Sequence, residues 1–460
     1  MESEVVITSY SEALDVYRQK DLRQAQYDQA DVLLEGVLVN LHGAAHRDRR
    51  RVENRLFRRE TFVTYERELF PELTRKAIAP HQRAGSAELV SLGHELLLHL
   101  AVVVAGIDRP AGTAEETARL RGQVNLFIEA LTMAQSTLDK DERRAAVAGG
   151  FTDWTEEFLA PSAARRRALL AEEGATGCPV PPDLLGTLLR HQDELGLSDG
   201  LIGRETAFFL LVAAHTSATA FVRTVHHMLE WLAEHPGSRE LVHTDPFFVQ
   251  RCVHETIRLN SSSTVGMRRA VEPVVLRSGR KIPAGAKVVI DLAAVNRDES
   301  AYGPTADEFD PYREIPAGVM PYGLSFAAGA HVCIGQDLAA GVVPTPGSDP
   351  DQHLFGLVAL AVRELFRGEV SLDPADPPRA DPTTTRRYWS RYPVRLGPRV
   401  TVDQESCLSS GRCVEADSTA FRFGPGELAE PSAQAGRLPE ERLRRIAEDC
   451  PAAAIRLHGI

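Results

Sequence analysis

Residues 326–335 read FAAGAHVCIG, and the thiol of Cys333 is the most reactive group in that stretch. Gly329 and Gly335 flank the sulfur, Phe326 opens the stretch, and His331 lies two residues upstream. A buried structural cysteine needs no flanking glycine. Glycines admit positive φ and let a backbone approach a large flat object, so the pattern predicts a thiolate presented to a ligand. More thiols close the chain: Cys407 and Cys413 in CLSSGRC, and Cys450 before Pro451. In a reducing compartment such a group points to metal ligation or core burial rather than disulfides.

The elements that must hold these thiols divide at one seam. YPVRL reads as a closing strand ended by Gly397 and Pro398, and RVTVDQESCLSSGRC begins anew. The expected domains are therefore 1–397 and 398–460. The first reads mostly as helix, the longest over 203–237 and stopped by Pro236-Gly237, with short strands between 264 and 295. The expected fold is mainly α with minor β, followed by a small α+β unit. A 43% hydrophobic and 25% charged composition is that of an ordinary globular chain. The net charge of −12 argues against nucleic acid as a partner. Residues 1–20 lack the apolar centre of a signal peptide and the apolar run 96–107 is too short for a span, so no membrane anchor and a cytoplasmic location are expected.

Four further stretches line up with Cys333. HETIRL places Glu255 and Arg258 three apart on one helix face, MRRA supplies Arg268, and FDPYR supplies Arg313. HRDRR sets His46 and Arg50 four apart, again on one face. Residues 1–397 resemble the cytochrome P-450 family of haem-thiolate enzymes. The cysteine loop matches the signature F-x-x-G-x-[HR]-x-C-x-G at every fixed position, and E-x-x-R lies about 75 residues before it. The resemblance implies haem b with Cys333 as axial ligand, in the loop that Phe326, Gly329 and Gly335 shape. It implies propionate contacts from His46, Arg50, Arg268 and His331. Glu255, Arg258 and Arg313 would be the network that holds the loop. Dioxygen and a small-molecule substrate would meet near Ala213, Thr264 and Val265. Cys252 is expected in the core, and Cys178 lies in a Pro-rich loop.

The sequence departs from that family in three places. The long helix usually carries A-G-x-[DE]-T-[TS], whose acid and alcohol supply protons; here Ala213, Ala214, His215, Thr216, Ser217 and Ala218 stand there. Thr216 and Ser217 replace the acid and the alcohol, and His215 titrates in a useful range, so these three are the candidate catalytic residues. The chain before His46 is short by the family's measure, so the domain reads as N-terminally shortened. Residues 342–353, VVPTPGSDPDQH, interrupt a helix that is normally continuous after the cysteine, and helix is expected to resume at LFGLVALAVRELF.

The tail resembles small bacterial ferredoxins of the 3Fe-4S type over about residues 399–460. Four-iron relatives carry a further cysteine where Ser410 stands, so Cys407, Cys413 and Cys450 would hold a 3Fe-4S cluster. RVTVD and AAIRL would be paired terminal strands, with PEERLRRIAED as the helix before Cys450. A zinc site is the alternative metal, poorly served by three cysteines. The reading is a haem-thiolate monooxygenase, in natural-product biosynthesis, fed by its own fused ferredoxin from a separate NAD(P)H-dependent reductase. Without the acid, a peroxygenase, dehydratase or isomerase is the alternative, and a haem/iron-sulfur redox sensor is another. The short join at Gly397-Pro398 predicts a ferredoxin held against the insert 342–353.

Overall fold

The computed structural model describes residues 3–28, 30–131, 139–176, 182–382, 388–397, 400–432, 435 and 438–457. Cys178 and the join at Pro398 lie outside the described residues.

Helix dominates up to residue 397. The predicted long helix runs Asp199–Glu234, capped by the Ser198 side chain accepting from Leu201 N and ended before Pro236. Among the described residues it alone is long and apolar enough to cross a membrane, yet 61% of its most apolar window is buried in the protein. Leu89–Ala105 packs along it and holds His99 inside the run 96–107. The E-x-x-R residues sit on Phe248–Leu259, and His46 and Arg50 on Gly43–Glu53.

The minor sheet has four strands in the order Glu4–Ile7, Lys287–Asp291, Val265–Ala270 and Leu22–Gln24. The first pair is parallel and the other two antiparallel. Register sets Gln24 on the edge strand opposite Arg268, which fixes the position of one of the expected haem contacts. A second sheet joins Ser86–Glu88, Pro393–Leu396 and Val370–Leu372, so most of YPVRL forms its central strand.

The insert begins where expected and ends later than expected. The helix after the cysteine, Gln336–Ala340, stops at Gly341 (φ 75°, ψ 172°) before any proline is reached. Helix resumes at Leu357 rather than Leu354, after Gly356 at φ 84°. The two glycines abut, and a Cβ on Gly356 would fall 2.3 Å from Gly341 N. Val342 N donates to Leu354 O at 3.0 Å, so residues 342–354 leave and return through one closed neck.

The last part has its own core, drawn from Val400, Cys413, Ala420, Phe421, Ala429, Ala435, Leu443, Ile446 and Ile455. Val400–Val402 pairs antiparallel with Ile455–Leu457, and Glu440–Glu448 is the helix before Cys450, as predicted. A hairpin of Phe421–Phe423 and Ala429–Pro431 was not anticipated.

Candidate functional site

Cys333 sits in a tight loop, its N–H donating to Phe326 O at 2.9 Å. Ala327 takes a left-handed φ of 59°, and Gly329 takes 70°. A Cβ on Gly329 would lie 2.3 Å from Tyr17 O, so this glycine is needed for backbone packing against the helix Tyr10–Arg18. Gly335, by contrast, has φ −92° and open space where a Cβ would go. Its role is its amide, which bonds the Cys333 sulfur and opposes the upward push of burial on the thiol; Arg50 acts in the same direction. Cys333 keeps solvent-accessible surface. Phe326 packs edge-on against Tyr322, ring centroids 5.0 Å apart.

Four basic groups converge beside this loop. His46 and His331 rings lie 4.0 Å apart, Arg50 Nη2 donates to Val332 O at 2.8 Å, and Arg268 is buried with Nη1 2.5 Å from Gln24 Oε1. Arg268 also lies over the Tyr17 ring at 4.8 Å. Burial first, then the charges of Arg50, His42 and Arg47, lower His46 to about 4. Burial, then His46, Arg268, His42 and Arg50, lower His331 to about 3. No carboxylate offsets these shifts, and His46 Nε2 is a buried polar atom with no partner among the described residues. That is the field of a site built for anions. The groups fit the two propionates of a haem whose iron faces Cys333.

The loop is braced from behind. Arg258 donates bidentately to Glu255 at 2.6 and 2.7 Å, and Arg313 Nε reaches the same carboxylate at 2.9 Å. Arg258 also donates to Asn296 O, Ala306 O and Glu308 O. Asn296, which the motif did not reveal, completes the link. Its Nδ2 donates to Arg258 O and Ser325 Oγ, and its Oδ1 accepts from Leu324 N at 2.8 Å. Ser325 immediately precedes Phe326, so the ion-pair network reaches the first residue of the cysteine loop.

On the long helix the three candidate catalytic residues separate. The His215 ring stacks on His94 of Leu89–Ala105 at 5.6 Å and meets Tyr388 edge-on at 5.9 Å. Two residues on, Ser217 is rotated about 200° around the axis and is only 4% exposed. Ala213 and Thr216 keep partial exposure, and Thr216 Oγ1 donates to Val212 O at 2.7 Å. Thr264 O accepts from Leu292 N and Val265 opens its strand; neighbouring Gln26 Nε2 reaches Ser263 Oγ at 3.3 Å. Cys252 is fully buried, as expected.

In the C-terminal unit Cys413 is buried, and Cys407 and Cys450 are half-buried against its core. Burial raises the Cys413 thiol, and Cys450 and Cys407 add to the shift, so the three lie within electrostatic reach. Among the described residues, no group of His, Cys, Asp or Glu is gathered tightly enough for a single metal ion. Ser409 and Gly411, at φ 54° and 72°, curl the segment between Cys407 and Cys413 into the kind of concavity that suits an anionic cluster. The insert 342–353 is not brought to this unit by the contacts described. It bonds instead to Arg59, Arg67 and Gln250.

Solved structures share the architecture of residues up to 397. The Tepidiphilus thermophilus P450 heme domain superposes with TM-score 0.64 at 19% identity, covering 85% of this chain and 88% of that one. The chain has the cytochrome P450 fold. An intact type IV self-sufficient cytochrome P450 monooxygenase matches equally, at TM-score 0.64 and 21% identity, over 85% of this chain and 48% of that one. The Cytochrome P450 family model matches residues 247–341, which hold the E-x-x-R helix and the cysteine loop of the P450 domain. The 4Fe-4S single cluster domain model matches residues 400–457. Among curated relatives, Vitamin D(3) 25-hydroxylase of Pseudonocardia autotrophica is 33% identical over 47% of this chain and 49% of its own length. The chain spans about half the length, or less, of the curated relatives it matches first.

Proposed function

We propose that the chain is a haem-thiolate monooxygenase that oxidises a small organic substrate in natural-product biosynthesis. Its electrons would come from a separate NAD(P)H-dependent reductase through residues 398–460. The observation that carries this reading is the juxtaposition of Cys333, its sulfur bonded by the Gly335 amide, with the basic groups His46, Arg50, Arg268 and His331. Haem held there supplies oxygen activation: two electrons and two protons convert RH and dioxygen to ROH and water. Arg268 and Arg50 would bind and orient the propionates, and His46 Nε2 would donate to one. Glu255, Arg258, Arg313 and Asn296 keep the thiolate loop from shifting. Ala213 and Thr216 would face substrate, with Thr264 and Val265 across from them. Single-turnover reduction under carbon monoxide tests the whole route: the thiolate-type band should form with NADH and a reductase, and fail in Cys413→Ser.

Ser410 in place of a fourth cysteine supports a 3Fe-4S cluster on Cys407, Cys413 and Cys450. Electron paramagnetic resonance of the oxidised protein should show a three-iron signal, moved towards four-iron character by Ser410→Cys.

A second reading is favoured by one contact. The Thr216 hydroxyl proton is given to Val212 O, so no side chain at the usual acid position donates into the pocket. Chemistry that needs no such relay, such as peroxide-driven oxidation, dehydration or isomerisation, is compatible with that arrangement. Substrate conversion without reductase would favour it.

A further inference from the structure

The insert 342–353 lies beside an arginine-rich surface that begins at the cysteine loop. Arg50 contacts Val332 O, and from there Arg47, Arg51, Arg55, Arg58, Arg59 and Arg67 are exposed along residues 47–67. Asp48, Glu60 and Glu68 are the exposed carboxylates among them, so the surface is net positive. The loop occupies part of that surface. Arg59 Nη2 donates to Gln352 O at 2.7 Å and Arg67 Nη2 to Asp351 O at 2.6 Å. Two guanidinium groups are thereby turned onto backbone carbonyls, and the exposed carboxylates of Asp349 and Asp351 are brought onto the same surface.

The loop is also held rigidly. Gln250 Nε2 donates to Ala340 O, Val342 O and Leu354 O, and Gln250 Oε1 meets His353 Nε2 at 2.9 Å. His254 Nε2 adds a bond to Ala340 O, and the Glu66 carboxylate accepts from Phe355 N and Gly356 N. A loop fastened by this many buried bonds at its neck presents its tip in one place.

Resting on the reading of residues 398–460 as the electron donor, we propose that this insert is a filter against free acidic electron carriers. A free carrier must find the arginine surface at micromolar concentration, where two guanidinium groups turned away onto the loop and two added carboxylates cost it affinity. The tethered unit, two residues beyond Gly397, has an effective concentration on the order of millimolar. It therefore docks on a surface too weak for a free protein. The filter works by repulsion, and the tether exempts one partner from it.

The test is binding of an acidic plant-type [2Fe–2S] ferredoxin to the full-length protein by calorimetry at low salt. Asp349→Ser/Asp351→Ser leaves the neck intact and should tighten binding roughly tenfold, about threefold per carboxylate. Deleting 343–351 leaves Gln352 and His353 as a two-residue turn and should tighten it further. Both gains should vanish at high salt. Equal affinity of the parent and the double variant at low salt would overturn the proposal. Because binding is read without turnover, failure of internal electron transfer is seen separately, in the carbon monoxide experiment above.

Discussion

The imidazoles of His46 and His331 lie 4.0 Å apart, one from the helix Gly43–Glu53 and one from the cysteine loop. Burial and the surrounding arginines hold both neutral at physiological pH. A neutral His46 with Nε2 free to donate can bond a propionate without a proton being taken up. His46→Ala should lower haem affinity by about tenfold, the worth of one charge-assisted hydrogen bond. Haem transfer to apomyoglobin measures it. His331→Arg should retain haem, since the guanidinium replaces the same donor.

Cys333→His should abolish the thiolate-type carbon monoxide band and leave the iron–sulfur signal of Cys407, Cys413 and Cys450 untouched. Optical and paramagnetic spectra on one sample read both. A thiolate band in that variant would show that the sulfur on the metal comes from elsewhere.

Asn296→Leu should destabilise the P450 domain by about 2–4 kcal/mol, because Leu324 N and Arg258 O lose their buried partners. Thermal unfolding gives the stability. Faster haem loss at a temperature where the variant is still folded would show that the link to Ser325 and the cysteine loop has slackened.

Glu53 and Glu205 share one guanidinium, Arg49, in the interior. Burial, and for Glu53 the nearby Glu205, raise both carboxyls above their ordinary 4.5, Glu205 to about 7. A folded-state carboxyl raised in this way binds more protons than the unfolded chain. Stability is thus fully present below pH 4.5 and declines as pH rises from there towards 7. Glu53→Gln should melt close to the parent at pH 5 and above it at pH 8. A parallel pair of melting curves across that range would contradict the raised carboxyl of Glu53.

Thr216→Asp should improve the coupling of NADH oxidation to product, by restoring an acid where the Thr216 hydroxyl is spent on Val212 O. Product formed per NADH consumed is the measurement. Unchanged coupling with intact substrate binding would show that protons reach the pocket by another path.

Local spacing explains what could be read in advance. The cysteine loop, the E-x-x-R pair and the long helix are each set by residues a few positions apart, and each appears where expected. Asn296 escaped because its partners lie 28 and 38 residues away. Gln24 escaped because it meets Arg268 across 244 residues. Helical geometry sets His215 and Ser217 more than half a turn apart, which residue type alone does not reveal. The insert was visible as an interruption, and Gly341 and Gly356 bound it in the structure.

The neck at Gly341 and Gly356 has a use for protein engineering. A loop whose ends are already joined adds length at a cost that grows only logarithmically with the residues inserted. The segment 343–351 is therefore a splice port, where a reporter peptide or a small folded domain can be carried without disturbing the packing on either side.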